Sequence, residues 1–210
     1  SNAMITRDLN KCILCGRCIR ACNEIQVNEV LDFANRGSQA TVGPAFGMDY
    51  IDSECYFCGE CVDACPVGAI TMRQARFAGR PWETKKVRTT CTYCGVGCQM
   101  DLNIHDGKIV KVTGNPEYGL PNDGMLCVKG RFGMDFVNSP DRLKSPMIRK
   151  NGDLQEVTWD EAYDYIAKKL SAIKKKNGPD SIAGFSSARA TNEENYLFQK
   201  FMRAVIGTNN

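Results

Sequence analysis

Cys12-Ile13-Leu14-Cys15-Gly16-Arg17-Cys18-Ile19-Arg20-Ala21-Cys22 sets four cysteines at the spacing C-x2-C-x2-C-x3-C. The same spacing returns 43 residues later at Cys55, Cys58, Cys61 and Cys65, followed by Pro66. A third group, Cys91, Cys94, Cys98 and Cys127, follows a different pattern, C-x2-C-x3-C-x28-C. Together the groups use all 12 cysteines of the 210-residue chain, and none lies beyond Cys127. A short loop with a cysteine at every third position can wrap three corners of one small object. The fourth thiol of each run is carried away from that loop by the helical turn that follows, so a fourth corner needs a cysteine from elsewhere.

That geometry suits an iron–sulfur cubane. In two-cluster ferredoxins the fourth cysteine of each run ligates the other cluster. This assigns Cys12, Cys15, Cys18 and Cys65 to one cluster, and Cys55, Cys58, Cys61 and Cys22 to a second. Cys18 and Cys22, like Cys61 and Cys65, are four residues apart and share a helix face. Structural zinc is the competing reading. Zinc ribbons use cysteine pairs and fingers add histidines, whereas this repeat is built of triplets. Zinc competes better for the third group, whose lone C-x2-C-x3-C is less specific. The only histidine, His105, stands beside Asp106-Gly107 and reads as an exposed turn residue.

Composition narrows the function classes. A net charge of +3, from 27 basic and 24 acidic residues, argues against a nucleic-acid binder driven by phosphate attraction. Were all twelve cysteines thiolate ligands of three oxidised cubane cores, the +3 would become about −3. No apolar run approaches the roughly 18 residues of a membrane span. Ser1-Asn2-Ala3-Met4 lacks the apolar core of a signal peptide, and residues 1–3 read as the scar of an expression tag. The expected compartment is therefore the reducing cytoplasm, where thiols hold metal rather than form disulfides.

Outward from the cysteines, residues 4–80 read as one small domain. Short helical turns are expected at Gly16–Glu24 and Gly59–Cys65. Strands are expected at Val30–Ala34 and Gln39–Val42, joined by Asn35-Arg36-Gly37-Ser38, and at Val67–Thr71. A linker over Phe77–Lys86 leads to a second domain at 87–140. There Met100, Leu102 and Ile104 alternate, and Asp106-Gly107 predicts a hairpin returning through Ile109–Val112. A short helix is expected within Arg131–Val137. From 141 to 210 the period changes. Trp159, Ala162, Tyr163, Ile166, Leu170 and Ile173 predict a helix opened by a Thr158/Glu161 capping box and closed at Gly178-Pro179-Asp180. Ser181–Ser186 predicts a buried strand, and Thr191/Glu194 caps a helix with Leu197, Phe198, Phe201, Met202 and Val205 on one face. One strand between two helices would leave apolar faces uncovered, so the expectation is an incomplete α/β domain at the N-terminal end of a larger protein. Lys174-Lys175-Lys176 reads as a solvated helix end.

Thr90-Cys91-Thr92-Tyr93-Cys94-Gly95-Val96-Gly97-Cys98 resembles the N-terminal iron–sulfur motif of the molybdopterin oxidoreductases, in the form found in formate dehydrogenases. Cys127-Val128-Lys129-Gly130 is similar to that family's fourth ligand with its Cys-x-Lys-Gly signature. The resemblance implies a third cluster on Cys91, Cys94, Cys98 and Cys127. It also implies that Lys129 lies between that cluster and the pterin; the plainer alternative is a surface lysine. Gly95 and Gly97 would let backbone N–H groups approach the cluster sulfurs.

The preceding segment, including Val30-Leu31-Asp32-Phe33-Ala34-Asn35-Arg36-Gly37, resembles the two-cluster ferredoxin module of cytoplasmic formate dehydrogenases. Related modules occur in the large iron–sulfur subunit of complex I and in iron-only hydrogenases. Asn23 departs from the pattern, standing where a ferredoxin often has proline. Ser186-Ser187-Ala188-Arg189 and 192–210 look like the start of the pterin-binding region, where Ser187 or Arg189 would face the cofactor.

The fold so implied is α+β: a two-cluster ferredoxin-like domain, a small β-rich Fe4S4 domain, and the truncated start of an α/β pterin-binding domain. The function implied is the electron-transfer portion of a formate dehydrogenase. Its cofactors would be three [4Fe–4S] clusters and, in the full-length protein, molybdopterin guanine dinucleotide with molybdenum or tungsten. Its partners would be the rest of its own catalytic subunit and a redox subunit or soluble carrier. The metal-ligating cysteine or selenocysteine of the family lies beyond these residues, so no catalytic residue is expected here and the isolated chain is expected to be inactive. The alternative is a non-catalytic relay subunit of complex I or hydrogenase type. No G-x-G-x-x-G occurs, so a nicotinamide site is unsupported.

Overall fold

Ile5-Thr6-Arg7 (β1, Ile5–Arg7) pairs antiparallel with β4 (Ile70–Met72), Ile5 facing Met72. This ladder ties the two ends of the first 72 residues together. The computed structural model describes residues 2–210, and the chain divides into two units, one ending at Ser139 and one running from Pro140 to Asn210.

Between β1 and β4 the two cysteine runs each lead into a short helix, α1 (Arg17–Arg20) and α2 (Glu60–Ala64). Gly16 and Gly59 cap them at φ 69° and 80°, a conformation that glycine adopts without a Cβ penalty. After α1 the chain continues as a wide π turn over Ala21–Ile25. Asn23 permits this, and its amide reaches the Leu31 carbonyl at 3.2 Å. After α2 Pro66 cannot continue a helix, and Cys65 is already extended. The added hairpin pairs β2 (Asp32–Ala34) with β3 (Thr41–Gly43). The strand expected at Val67–Thr71 begins only at Ile70, because Pro66 and Gly68 (φ 67°) turn the chain first.

A three-stranded antiparallel sheet follows, in the order β5 (Lys85–Thr90), β6 (Gln99–His105), β7 (Lys108–Thr113). β6 and β7 form the hairpin expected around Asp106-Gly107. β5 begins inside the stretch expected to be a linker. Only Val87 in it is apolar, so it carries no alternation to read, and its lysines suit an exposed sheet edge. α3 (Val128–Phe132) starts directly after Cys127 and passes into a tighter turn over Gly133–Asn138. Phe132 joins Ile5, Leu31, Val42, Val62 and Ile70 in one buried cluster, so the ferredoxin-like part and the Fe4S4 part share a core. Met100, Val112, Leu126 and Met134 pack around Cys91 in a second cluster.

The second unit opens with a hairpin, β8 (Met147–Lys150) and β9 (Asp153–Glu156), turned at Asn151-Gly152. α4 (Trp159–Asn177) and α5 (Asn192–Lys200) follow, the latter extended by a wide turn over Phe201–Ile206. Thr191 and Glu194 complete a reciprocal capping box. At α4 only half of the box forms: Thr158 accepts from Glu161 N–H, while the Glu161 carboxylate is taken by Lys150 at 2.6 Å. The buried strand expected at Ser181–Ser186 does not form. Ile182 is extended, but no strand pairs with the segment among the described residues, and Phe185 is 94% exposed. A lone segment has no ladder to join; Gly184 N–H instead donates to the Asn210 carbonyl at 3.0 Å. Tyr163, Ile166, Leu197 and Val205 remain exposed on their helices.

Candidate metal centres

The two triplet loops have the same backbone. Leu14 and Gly16 take positive φ (55° and 69°), and so do Phe57 and Gly59 (54° and 80°). Left-handed geometry at a leucine or phenylalanine costs about 1–2 kcal/mol. Such residues persist where surrounding structure demands them. Here they coil each loop so that its three cysteines face one volume.

The tertiary fold supplies the fourth thiol. Cys12, Cys15, Cys18 and Cys65 line one small apolar pocket together with Val42 and Pro66. Cys22 lies close enough to Cys55 and Cys61 to raise the pKa of both thiols electrostatically. Cys65 thus lines the pocket of the first triplet, and Cys22 lies near the second. All twelve thiols are free.

Burial pushes the Cys18, Cys55 and Cys58 thiols above their ordinary range, and the enclosed Cys61 well above it. Cys65 goes the other way. Burial raises it, but the N–H groups of Ile70, Val67, Ala69 and Gly68 together outweigh that and hold it low. The backbone amides of the turn after Pro66 thus favour negative charge on this sulfur. Among the described residues no three metal-ligating side chains close on a single point. The donors are all sulfur and surround a volume. An all-sulfur donor set lining one pocket suits an iron–sulfur cluster.

The third group is more open. Cys91 is buried and Cys98 half-buried, while Cys94 and Cys127 are exposed. The loop closes through Cys91 N–H to the Cys98 carbonyl at 2.8 Å. Burial raises Cys91, the neighbouring Cys127 and Cys94 raise it further, and the exposed Lys129 ammonium lowers it. Gly97 sits at φ 72°. A Cβ on Gly130 would meet Cys91 Sγ at 3.5 Å, whereas one on Gly95 would meet open space. Gly130 is therefore the glycine packed against a sulfur.

Two positioning residues escaped the sequence reading. Buried Asn122 accepts from Gln99 N–H at 2.8 Å and donates to the Gln99 and Met125 carbonyls at 3.1 and 2.8 Å. It thereby pins the loop that delivers Cys127 to the start of β6. Arg131 is 1% exposed. Its Nε donates to the Cys58 carbonyl at 2.8 Å, and its guanidinium pairs with Glu60 at 2.5 Å and with Asp63. Arg131 N–H donates to the Cys127 carbonyl at 3.0 Å. Glu60 also accepts from Leu126 N–H at 3.4 Å, and Lys111 approaches Asp63 at 3.7 Å. One arginine thus joins the second cysteine group to the third. Its only sequence signal is its place one helical turn after Cys127.

His105 lies at the end of β6, 3.5 Å from the Asp106 carboxylate and 3.3 Å from the Glu83 carbonyl. Ser187 and Arg189 are exposed, the Ser187 hydroxyl accepting from Arg189 N–H at 3.1 Å. No helix is long and apolar enough to cross a membrane among the described residues.

Three family models tile the chain. Residues 2–71 match the ferredoxin-like domain of NADH-quinone oxidoreductase subunit 3, residues 84–139 the molybdopterin oxidoreductase Fe4S4 domain, and residues 142–210 the molybdopterin oxidoreductase model. The chain is 40% identical over 210 residues to NADPH-Fe(3+) oxidoreductase subunit alpha of Geobacter sulfurreducens, covering 99% of this chain and 24% of that protein. It is 39% identical to one of the NADH-quinone oxidoreductase subunits of Rhizobium meliloti, covering 99% and 23%. It is 38% identical to a Staphylococcus aureus protein that carries a provisional formate dehydrogenase name, covering 97% and 24%. The chain spans about a quarter of the length of these curated relatives.

Proposed function

We propose that this chain is the electron-transfer portion of a molybdenum- or tungsten-pterin formate dehydrogenase, a reading supported by the molybdopterin oxidoreductase matches over 84–139 and 142–210 behind a ferredoxin-like match over 2–71. The observation that carries this reading is the packing of three four-cysteine groups in one unit, the third followed at once by Lys129 on α3. Cys12, Cys15, Cys18 and Cys65 would hold one [4Fe–4S] cluster, Cys55, Cys58, Cys61 and Cys22 a second, and Cys91, Cys94, Cys98 and Cys127 a third. When bound, the pterin-held metal supplies the two-electron oxidation of formate to carbon dioxide, and the clusters supply one-electron relay.

The chain's own residues hold and tune these groups. The backbone amides at 67–70 stabilise negative charge on Cys65, and such hydrogen bonds raise a cluster's potential. Arg131 keeps the second and third groups in fixed register. Lys129 would be this chain's contact to a pterin guanine dinucleotide. Residues 4–80, 87–140 and 141–210 are the three domains of this reading, and the exposed faces of α4 and α5 are where further pterin-binding structure would pack. The partner would be a redox subunit or soluble carrier in the cytoplasm.

A second reading, a relay subunit without pterin, draws on the relative from the NADH-quinone oxidoreductase of Rhizobium meliloti and on the match over 2–71. Metal and pterin analysis of the protein purified from its own cells separates the two. Molybdenum or tungsten with pterin, and bleaching of the cluster absorbance by formate, is the expected result. Full iron without either metal would replace it with the relay reading. Reconstitution should yield roughly 12 iron and 12 sulfide per chain; two or three zinc ions instead would overturn both.

A further inference from the structure

The two triplet loops differ in one systematic respect. Lys11, Arg17 and Arg20 of the first run correspond, 43 residues on, to Glu54, Glu60 and Asp63 of the second. In the second run Glu60 and Asp63 are the groups on which the Fe4S4 part docks, through buried Arg131. Arg131 also covers Gly59, where a Cβ would come within 2.7 Å of its Cδ, and caps the Cys58 carbonyl. In the first run no arginine from outside the run covers the equivalent surface among the described residues; the Phe33 ring edge flanks Gly16, and Lys11 lies 3.3 Å from the Asp8 carboxylate. Arg20 folds back over Gly16 and caps the Cys15 carbonyl itself at 3.4 Å. Lys11, Arg17 and Arg20 are exposed, and they surround Ile13, Leu14 and Cys15, which are exposed as well. An apolar centre within a charged rim is the usual anatomy of a small transient interface.

From this correspondence we infer that the face formed by Lys11, Ile13, Leu14 and Arg17 is the docking surface for an acidic electron-carrying protein. The charge reversal identifies the occupant. The second run uses Glu60 and Asp63 to receive one arginine of the neighbouring cysteine-bearing part, and the first run presents exposed cations that suit carboxylates of a partner. A second copy of this chain would not serve, because its Glu60 and Asp63 are already taken by Arg131. The exchange moves one electron between the carrier's centre and the cluster behind Cys15, with no bond formed or broken. The inference rests on the relay reading of residues 4–80.

The test uses the cluster-loaded protein and a chemically reduced acidic ferredoxin as probe, mixed anaerobically by stopped flow. The second-order rate should fall steeply as ionic strength rises from about 20 to about 300 mM. Lys11→Glu/Arg17→Glu should lower the low-salt rate about tenfold or more and flatten its salt dependence. Its iron and sulfide content, and its reduction by dithionite, should match the unaltered protein. Lys175→Glu/Lys176→Glu, an equal change of net charge on α4, should leave the ferredoxin rate unchanged. A fully loaded Lys11→Glu/Arg17→Glu protein that is reduced as fast as the parent, or an equal loss in the α4 variant, would overturn the docking surface and leave the relay intact. A chain that loads no clusters would remove the relay reading and this inference with it.

Discussion

The loop at 12–22 and the loop at 55–65 share their cysteine spacing, their pattern of left-handed residues and a guanidinium over the glycine that follows the second cysteine. They differ in where that guanidinium comes from. Arg20 comes from its own run and stays exposed; Arg131 arrives from 73 residues away and is buried between two carboxylates. The backbone of the motif is set by what it holds, and its charged positions are set by what lies next to it. One cradle therefore serves both as an internal junction and as an outward surface.

The largest test of the comparison concerns the exchanged fourth cysteines. Cys65→Ser alone should cost about four iron atoms, and so should Cys12→Ser. If both residues serve one cluster, the double variant should lose about four as well; a loss of about eight would show that each run keeps its own fourth cysteine. Removing all clusters by chelation should loosen residues 4–80, whose buried core is built around Cys18, Cys22 and Cys61, read as loss of amide protection there.

The two arginines should separate next. Arg131→Ala leaves Glu60 without its cation and Asp63 with only the longer Lys111 contact at 3.7 Å, and should cost about 3–5 kcal/mol, measured as the denaturant midpoint of cluster bleaching. The loss should shrink in a Glu60→Gln/Asp63→Asn background. Arg20→Ala should cost no more than about 1 kcal/mol, because its contact is long and solvated. At the glycines, Gly16→Ala meets the movable end of Arg20 at 3.1 Å and the Phe33 ring at an ordinary 3.5 Å, and should cost about 1–2 kcal/mol for its left-handed φ. Gly59→Ala collides with the fixed stem of Arg131 and should cost about 1–3 kcal/mol more. The smallest difference is at the exits of the two runs. Asn23→Ala loses its bond to the Leu31 carbonyl and should cost about 1 kcal/mol or less.

Legibility followed range along the chain. The triplet turns, the Asp106-Gly107 hairpin, the long helix from Trp159 and the cap at Thr191 all rest on residues within a few positions of each other, and they stand where the pattern puts them. Elements whose existence depends on a neighbour were not legible. β5 forms because β6 lies beside it, and Ser181–Ser186 stays out of a sheet because no strand lies beside it. At Cys65 the pattern pointed to a strand from Val67, but Pro66 and Gly68 turn the chain before the strand begins at Ile70.

By itself the sequence determined the three cysteine groups, the loops that present them and the helices that follow, since spacing, glycine and proline act through local sterics. Only the tertiary structure decided how Cys65 meets the first triplet, that Arg131 is a buried junction rather than a surface cation, and which triplet faces outward. These outcomes depend on contacts between distant residues. Their energy comes from burial and charge pairing, and neither exists until the chain has closed on itself.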